Sequence, residues 1–423
     1  MSVNRHSVAV VHSSTAYPAV RRVIEALNPF AELPPAAHVV LKPNLVVSRS
    51  AWLGANTRPE IVEALVALLR DHGIRRITIA DGSGMGESAT RAFQICGYHE
   101  IAAKYNLDLL DIERDRFVSV PTRVDGPFAQ LSVSRTVAEC DYLINVPVIK
   151  AHCQTRMTCS LKNLKGVLPS KLKSGFHGTD LERAIAQLAA TVTPEFILAD
   201  GTYGDLTSEL GGSPVNLGVI AAGYDPLAID CFAAATLGFA PSAIAHLAHY
   251  AQLRGVDLDR FRPQVRALNH PRGERRFRAE QNSFRLYPCS VHLGSACSTC
   301  HGNLLFALKR LKEARRLGRR DRYYLGRFSD RELDSSTAPS GFRERRGGHD
   351  ARGRDTPGRG ARGGRTVAVG DCAVRLFGAG AAEAAGSGRA ASDSPRSCGP
   401  AVVAVSGCPP SAAEIVTAVT AAD

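Results

Sequence analysis

Basic and polar side chains able to bind an anion are concentrated in the stretch 150–177, directly after an apolar run at 142–149. That run predicts a buried parallel strand, because a short continuous apolar segment suits a strand covered on both faces. In open α/β sheets, ligands bind beyond the carboxyl ends of the strands, so the side chains that follow this strand are candidates for a site. These candidates are Lys150, His152, Lys162, Asn163 and His177.

The chemistry that this set favours is the binding of a carboxylate or a phosphate. A lysine ammonium is a mobile positive charge, and the free N–H groups of a helix N-terminus attract anions. If a helix begins at Thr158, then Thr158 and Lys162 share one face at i,i+4 spacing, and its first N–H groups point to the same region. We predict that Lys162 and His152 are catalytic, with His152 as an acid/base near neutral pH. A solvated basic loop over a sheet is the alternative, and His177 could equally be a surface histidine.

Other predicted strands end in residues of similar type. The run 38–44 ends in Lys42, Pro43 and Asn44, and two further runs end in Ala-Asp-Gly at Asp81 and Asp200. Parallel strands end at one edge of a sheet, so these side chains are expected beside the first set. The predicted substrate-binding residues are Lys42, Asn44, Asp81, Lys150, Asn163, His177 and Asp200. The glycine-rich turn after Asp81 matches neither the dinucleotide fingerprint nor the P-loop, so a plain turn is its alternative interpretation.

The elements that must position these residues form a doubly wound, mainly parallel α/β domain. Strand-like and helix-like runs alternate from residue 7 to about 255, which predicts this domain over residues 1–255. Residues 256–317 are interpreted as a connecting region, and 367–423 as a cysteine-containing C-terminal subdomain. Between them, 318–366 is rich in Arg, Gly, Asp, Ser and Pro and lacks apolar periodicity, which predicts a disordered or inserted segment. A degraded or frame-shifted stretch is the alternative.

The net charge of +12 is concentrated in one segment. Residues 310–365 hold 16 Arg and one Lys against eight Asp or Glu, a net +9, so the rest of the chain is nearly neutral. A nucleic-acid-contacting role for the Arg/Gly-rich part, in a non-catalytic binding module, is therefore the second functional hypothesis. Interleaved aromatic residues for base stacking are missing, which disfavours a nucleic-acid partner.

The chain has no apolar run long enough to cross a bilayer and no recognisable signal peptide, so we expect a cytoplasmic protein without a membrane partner. Its 11 cysteines then argue against a disulfide framework, because a reducing compartment disfavours one.

The motifs together resemble a known family. Lys42-Pro43-Asn44, Asp81-Gly82-Ser83, the strand end 145–152, the stretch 158–166 and the helix start 225–230 resemble the bacterial and archaeal family called domain of unknown function 362. The resemblance covers residues 38 to 238. It implies an α/β fold and an iron–sulfur cluster, because many members look like iron–sulfur proteins, but it implies no particular reaction.

Candidate cluster ligands lie in the last third of the chain. Cys297-Ser-Thr-Cys300 supplies two thiols, Cys372 follows a short apolar run, and Cys408 lies in Gly-Cys-Pro-Pro, which resembles a cluster-ligand turn of respiratory complexes and hydrogenases. Four thiolates suffice for a [4Fe-4S] cluster or for a four-cysteine zinc site, and both remain open. Cys297-Ser-Thr-Cys300-His301 also matches the C-x-x-C-H signature of haem attachment, but covalent haem belongs to exported proteins and the N-terminus shows no export signal.

These observations predict an iron–sulfur protein whose α/β domain binds a small anionic ligand, with the cluster beside that pocket. Such a protein could be an oxidoreductase that exchanges electrons with a partner protein, although nothing in the sequence fixes a reaction.

Overall fold

The structure is a computed structural model that describes residues 6–270, 276–279, 284–328, 365–374, 402–407 and 409–422. The chain divides into two compact units, Met1–Asn282 and Ser283–Asp423. Unit 1 is built on an eight-stranded sheet, and unit 2 on a four-stranded sheet.

The large sheet of unit 1 is mainly parallel, as predicted. Its strands are β1 (Ser7–His12), β2 (His38–Pro43), β3 (Arg76–Asp81), β4 (Asp108–Asp111), β7 (Tyr142–Val146), β10 (Phe196–Asp205), β11 (Pro214–Gly223) and β12 (Gln264–Ala267). They lie in the order β12-β1-β11-β10-β7-β2-β3-β4. Only β11 runs against its neighbours, because it forms a hairpin with β10. The two short hairpins outside this sheet are β5 (Phe117–Pro121) with β6 (Gln130–Ser134), and β8 (Lys150–His152) with β9 (Arg156–Thr158).

Helices cover both faces of the large sheet. They are α1 (Ala16–Leu27), α2 (Pro59–Asp71), α3 (Ala89–Ile95), α4 (Tyr98–Tyr105), α5 (Arg135–Ala138), α6 (Ser160–Asn163), α7 (Ser170–His177), α8 (Leu181–Thr191), α9 (Pro226–Thr236) and α10 (Ala245–Leu253). Successive side chains of a strand point to opposite faces, so Val8 and Val10 join one apolar cluster while Ala9 and Val11 join the other. Burying one valine side chain stabilises the fold by roughly 1.5–3 kcal/mol. Near-continuous apolar runs therefore form the central strands, which are covered on both faces.

The first unit extends beyond the boundary expected at residue 255. Strand β12 pairs in parallel with β1, and Leu268 N–H donates to Val10 O at 2.8 Å. All four side chains of β12 are exposed, so this edge strand shows no apolar alternation from which the sequence could reveal it. Residues 256–270 are therefore part of the α/β unit in the structure.

Unit 2 is a separate parallel sheet with its own apolar core. Its elements are β13 (Ser290–Leu293), α11 (Ser298–Glu313), β14 (Arg322–Leu325), β15 (Thr366–Val369), α12 (Asp371–Val374), β16 (Val402–Val405) and α13 (Ala412–Ala421). The strands lie in the order β13-β14-β15-β16, all in parallel. Tyr323 and Leu325 pack with Leu304 and Leu308 of α11 and Ile415 of α13.

The start of the segment predicted to be disordered forms strand β14. Tyr323, Tyr324 and Leu325 are buried in the sheet, and this run of three apolar residues is too short to show periodicity within an Arg-rich sequence. Residues 329–364 and Cys408 lie outside the described residues.

Within the described ranges, every helix is too short or too polar to cross a membrane.

Candidate functional site at the strand ends

The carboxyl ends of β2 and β3 meet through a buried ion pair between Lys42 and Asp81. Lys42 Nζ lies 2.5 Å from Asp81 Oδ1, and the two side chains are 0% and 2% exposed. The ammonium also donates to Pro43 O at 3.1 Å and to Asn163 Oδ1 at 3.4 Å, so each of its three hydrogens has an acceptor. Burial lowers the pKa of Lys42, and the Asp81 carboxylate opposes that shift. The ion pair thus connects the ends of the two strands, and the Lys42 ammonium has no hydrogen left to donate to a ligand.

Gly166 fills the space in front of this ion pair. A Cβ at Gly166 would lie 2.2 Å from Asp81 Oδ1 and 2.6 Å from Lys42 Nζ. Only glycine permits so close an approach of the backbone. The Lys-Gly end of the 158–166 stretch therefore has a packing role.

Asn163 and Asp200 are also satisfied within the protein. Asn163 Nδ2 donates to Asn145 Oδ1 at 2.7 Å, and Asn145 Nδ2 donates to Ser160 O at 2.9 Å. Asp200 accepts from the Thr202 hydroxyl at 2.6 Å and from Arg58 N–H at 3.1 Å. Burial raises the pKa of Asp200, and these hydrogen bonds oppose that rise. Asn163 and Asp200, both predicted to bind a ligand, thus form hydrogen bonds that attach loops to the ends of strands.

The N-terminus of α6, which we expected to face a ligand, is capped by Asp230 of α9. Asp230 accepts from Ser160 N–H at 2.7 Å and from Leu161 N–H at 3.1 Å. Burial raises the pKa of Asp230 to about 6. The helix also begins two residues after Thr158, which ends strand β9. The expectation that free N–H groups of this helix attract an anion is wrong, because a carboxylate of the protein already occupies them.

Lys150 is buried beneath the strand ends and donates to backbone carbonyls. Its ammonium contacts Ala55 O, and it donates to Glu209 O at 3.0 Å. Burial lowers the pKa of Lys150 to about 7, with Glu209 opposing the shift and Lys162 adding to it. Lys150 therefore positions the loop that carries Glu209.

His152 lies next to that loop with its ring fixed by backbone donors. Nδ1 accepts from Gln154 N–H at 3.0 Å and from Thr155 N–H at 3.2 Å, while Nε2 faces Glu209 Oε1 at 3.6 Å. Burial lowers the pKa of His152 well below its ordinary value, and the nearby Lys162 charge lowers it further. The ring is thus neutral, and since Nδ1 accepts, the proton is carried by Nε2.

Glu209 was not among the predicted site residues. It follows β10 in a loop without a motif, and its carboxylate accepts from Cys153 N–H at 3.0 Å and from Cys153 Sγ–H at 3.1 Å. His152, Cys153 and Glu209 are buried, and their ligand atoms lie within 4.8 Å of one another, so the described residues contain one group of metal-binding type. No spacing in the sequence joins Glu209 to the other two, because their proximity arises only in the folded sheet.

Several buried polar atoms of unit 1 have no hydrogen-bond partner among the described residues. Buried examples are Asn44 Oδ1, His152 Nε2 and Thr158 Oγ1. Lys162 on α6 is partly exposed and donates no hydrogen bond within the described part of the chain, although its charge acts on both His152 and Glu209. Buried polar atoms are usually paired, so unpaired ones beside a cation mark a place for a ligand. Of the predicted residues, Asn44, His152 and Lys162 keep such capacity.

His177 lies at the end of α7 against another lysine. His177 Nε2 is 3.0 Å from Lys165 Nζ, and Lys165 also lies over the ring of Phe176 at 5.7 Å. This contact involves neither Lys150 nor Asn163, so the predicted substrate-binding set is divided among several local networks.

The candidate cluster ligands of unit 2 lie at the carboxyl edge of its sheet. Cys297 and Cys300 begin α11, and Cys372 lies in α12 directly after β15. A Cβ at Gly370 would lie 3.7 Å from Cys300 Sγ, so the start of α11 lies close to the end of β15. Gly407 N–H donates to Asp371 Oδ1 at 2.7 Å, so the segment after β16 contacts the segment after β15. The segments that carry the predicted cysteines therefore converge, although Cys408 itself is not described.

Comparisons with known proteins agree with the resemblance seen in the motifs. Residues 39–235 match the family described as "Domain of unknown function (DUF362)". The chain is 28% identical over 226 residues to the "Thylakoid-associated protein sll1697" of Synechocystis sp., an alignment that covers 52% of this chain and 68% of that protein. Among solved structures, the lactate racemase apoprotein from Thermoanaerobacterium thermosaccharolyticum is similar at 16% identity with a TM-score of 0.35. That alignment covers 60% of this chain and 58% of the racemase, which is less than two thirds of its length.

Proposed function

We propose that the part of the chain that matches the DUF362 family, residues 39–235, binds a small anionic ligand beside Lys162. The observation that carries the proposal is that two donors, the Lys162 ammonium and the Nε2–H of His152, have no hydrogen-bond acceptor among the described residues. The other lysines at the strand ends, Lys42 and Lys150, donate to acceptors of the protein. Lys162 is therefore the cation that a carboxylate or phosphate would meet.

The neutral state of His152 refines this proposal. A buried imidazolium would repel a second cation, whereas a neutral ring with its proton on Nε2 donates to an oxygen without adding charge. Asn44 Oδ1 and Thr158 Oγ1 are further buried atoms that a ligand could satisfy. The proposed ligand is thus a small carboxylate or phosphate.

For unit 2 we propose a [4Fe-4S] cluster held by Cys297, Cys300, Cys372 and Cys408. The convergence of α11 with the ends of β15 and β16 supports this assignment. Zinc remains the alternative. At a Zn–S bond of about 2.3 Å, tetrahedral geometry places two thiolates about 3.8 Å apart. Metal and sulfide analysis of the protein distinguishes the two.

A cluster would supply one-electron chemistry, so an iron–sulfur-dependent oxidoreductase with an electron-transfer partner is part of the proposal. A reducing compartment such as the cytoplasm is also part of the proposal, because the cysteines within the described ranges form no disulfide with one another.

The anion site is tested by titrating the full chain with inorganic phosphate, pyrophosphate, acetate and citrate while following thermal unfolding. Lys162→Met should weaken binding of the best anion by about ten- to a hundredfold, the range expected for one charge-assisted hydrogen bond. Lys171→Met, a change of an exposed lysine on α7, is the matched control and should leave binding unchanged. An equal response of all three proteins would contradict the proposed site.

The cluster is tested by anaerobic purification followed by iron, sulfide and zinc analysis. Cys297→Ala, Cys300→Ala, Cys372→Ala and Cys408→Ala should each abolish a broad visible absorbance, while Cys231→Ala in the core of unit 1 should keep it. Stoichiometric zinc without sulfide would establish the zinc alternative. Protein that holds neither metal after anaerobic reconstitution would eliminate both.

A further inference from the structure

His152 and Glu209 form a buried donor and acceptor that face each other without a hydrogen bond. Their side chains are 0% and 3% exposed, and 3.6 Å separates Nε2 from Oε1. This distance is too long for a good N–H···O bond, so the Nε2–H of His152 has no acceptor in the part of the chain that the structure describes. A buried donor without an acceptor is unfavourable unless a ligand or a water molecule accepts its hydrogen bond.

Hydrogen bonds from neighbouring residues fix the orientation of both His152 and Glu209. The two backbone N–H groups that donate to Nδ1 orient the imidazole of His152. Cys153 donates to both carboxylate oxygens of Glu209, through its N–H to Oε2 and through its thiol to Oε1. A carboxylate has about four acceptor positions, so Glu209 can accept a further hydrogen bond.

A metal ion held by His152, Cys153 and Glu209 is the competing explanation for this group. A neutral histidine that ligates a metal through Nε2 carries its proton on Nδ1 and donates it to an acceptor. Here Nδ1 faces two donors, Gln154 N–H and Thr155 N–H, so the proton belongs on Nε2. The ring orientation therefore fits a hydrogen-bond donor and does not fit a metal ligand.

We propose that His152 and Glu209 together recognise a hydroxyl group of the anionic ligand that binds beside Lys162. A hydroxyl accepts from Nε2–H of His152 and donates to Oε1 of Glu209 at once, which a carboxylate or a methyl group does not do. The ligand class is then a small carboxylate or phosphate that also carries a hydroxyl. This inference rests on the proposed anion site, because Lys162 provides the charge recognition and the His152–Glu209 pair provides the discrimination.

The experiment compares matched ligands on the full chain by calorimetry. The pairs are glycerate against propionate, and glycerol phosphate against propyl phosphate. In the wild type, the hydroxylated member should bind at least about tenfold more tightly, since a site that hydrogen-bonds a hydroxyl leaves buried polar groups unpaired when the hydroxyl is missing. Glu209→Gln and His152→Gln should reduce this preference to less than about threefold, whereas Lys162→Met should weaken both members of a pair equally.

The outcomes separate the two proposals. If both members bind equally in the wild type and Lys162→Met weakens both, the anion site stands and the hydroxyl recognition is overturned. If no anion binds, the proposed function fails with it. A stoichiometric metal in the wild type that is lost in both Cys153→Ser and Glu209→Gln would also overturn the inference.

A second measurement does not depend on the folding of any variant. Imidazole nitrogen shifts of the ¹⁵N-histidine-labelled wild type should show His152 as neutral with its proton on Nε2 from pH 6 to pH 8. Its resonance is identified by sequential backbone assignment of the wild-type chain. A proton on Nδ1, or a metal-bound shift on Nε2, would contradict the proposal.

Discussion

At the scale of single residues, the lysines of the strand-end site differ in what their ammonium groups contact. Lys42 donates to a carboxylate and two other oxygens, Lys150 donates to carbonyl oxygens, and Lys162 donates to nothing within the described residues. Residue type therefore does not identify the lysine that we propose to bind the ligand. The number of unused donors does, because a buried or half-buried ammonium without acceptors is unfavourable in the absence of a ligand.

Lys150 makes the stability of unit 1 depend on pH. Its folded pKa of about 7 lies below the unfolded value of about 10.5, so the unfolded chain binds more protons between these values and stability rises with pH across that window. The unfavourable contribution of Lys150 is fully present below pH 7. Lys150→Met should flatten the rise in unfolding free energy between pH 7 and 10, measured by urea unfolding.

An exposed-lysine variant, Lys171→Met, is the control for this pH series and should keep the wild-type slope. A Lys150→Met protein with the wild-type slope would show that Lys150 stays charged in the fold.

At the scale of elements, short loops and helices are fixed to the strand ends by buried polar contacts. Asp230 of α9 caps α6, which carries Lys162, and Gly166 lies against the Lys42–Asp81 pair. The partly exposed Lys162 is thus carried on a segment that is held at both ends. A site that is anchored in this way binds a ligand with little loss of conformational entropy.

Gly166→Ala should destabilise unit 1 by about 3 kcal/mol or more. The added methyl group overlaps Asp81 Oδ1 and Lys42 Nζ and forces apart a buried ion pair, whose disruption typically costs about 3–5 kcal/mol. Urea unfolding at pH 7 measures the change.

The matched control is Gly175→Ala in α7, where a Cβ meets only Leu172 Cδ1 at 4.0 Å. Alanine is favoured over glycine in a helix by roughly 0.5–1 kcal/mol, so this variant should be as stable as the wild type or slightly more stable. Equal effects of the two substitutions would argue against the close packing at Gly166.

At the scale of the whole molecule, the chain consists of two units with separate apolar cores. The two clusters that cover the large sheet contain residues up to Ala279, and the main cluster of unit 2 draws on Phe284 onward. A domain with its own core can fold alone, so the proposed anion site and the proposed cluster belong to parts that we expect to fold separately.

Residues 1–282 expressed alone should unfold cooperatively and keep the anion-dependent stabilisation and its loss in Lys162→Met. All the contacts of the strand-end site described above lie within this range. Calorimetric unfolding with and without the best anion measures this. An insoluble or non-cooperative fragment would show that unit 1 needs residues beyond 282.

The sequence by itself determined the fold class of the first unit. Near-continuous apolar runs such as 142–149 and helical stripes such as that of α1 are local patterns, and they identified the central strands and helices correctly. The motifs Lys42-Pro43-Asn44 and 158–166 likewise indicated the family whose model matches residues 39–235. The exposed edge strand β12 and the three buried residues of β14 were missed, because neither carries a periodic pattern.

The tertiary structure alone decided which polar residues are satisfied. Lys42 and Asp81 are 39 residues apart in sequence, and His152 and Glu209 are 57 residues apart. No local spacing therefore predicts that the first two side chains form an ion pair at 2.5 Å, whereas the second two remain 3.6 Å apart. Asp230 reaches the N-terminus of α6 across 70 residues in the same way. Burial, hydrogen-bond partners and tautomers depend on contacts between distant segments, and these exist only after the strands have been aligned in the sheet.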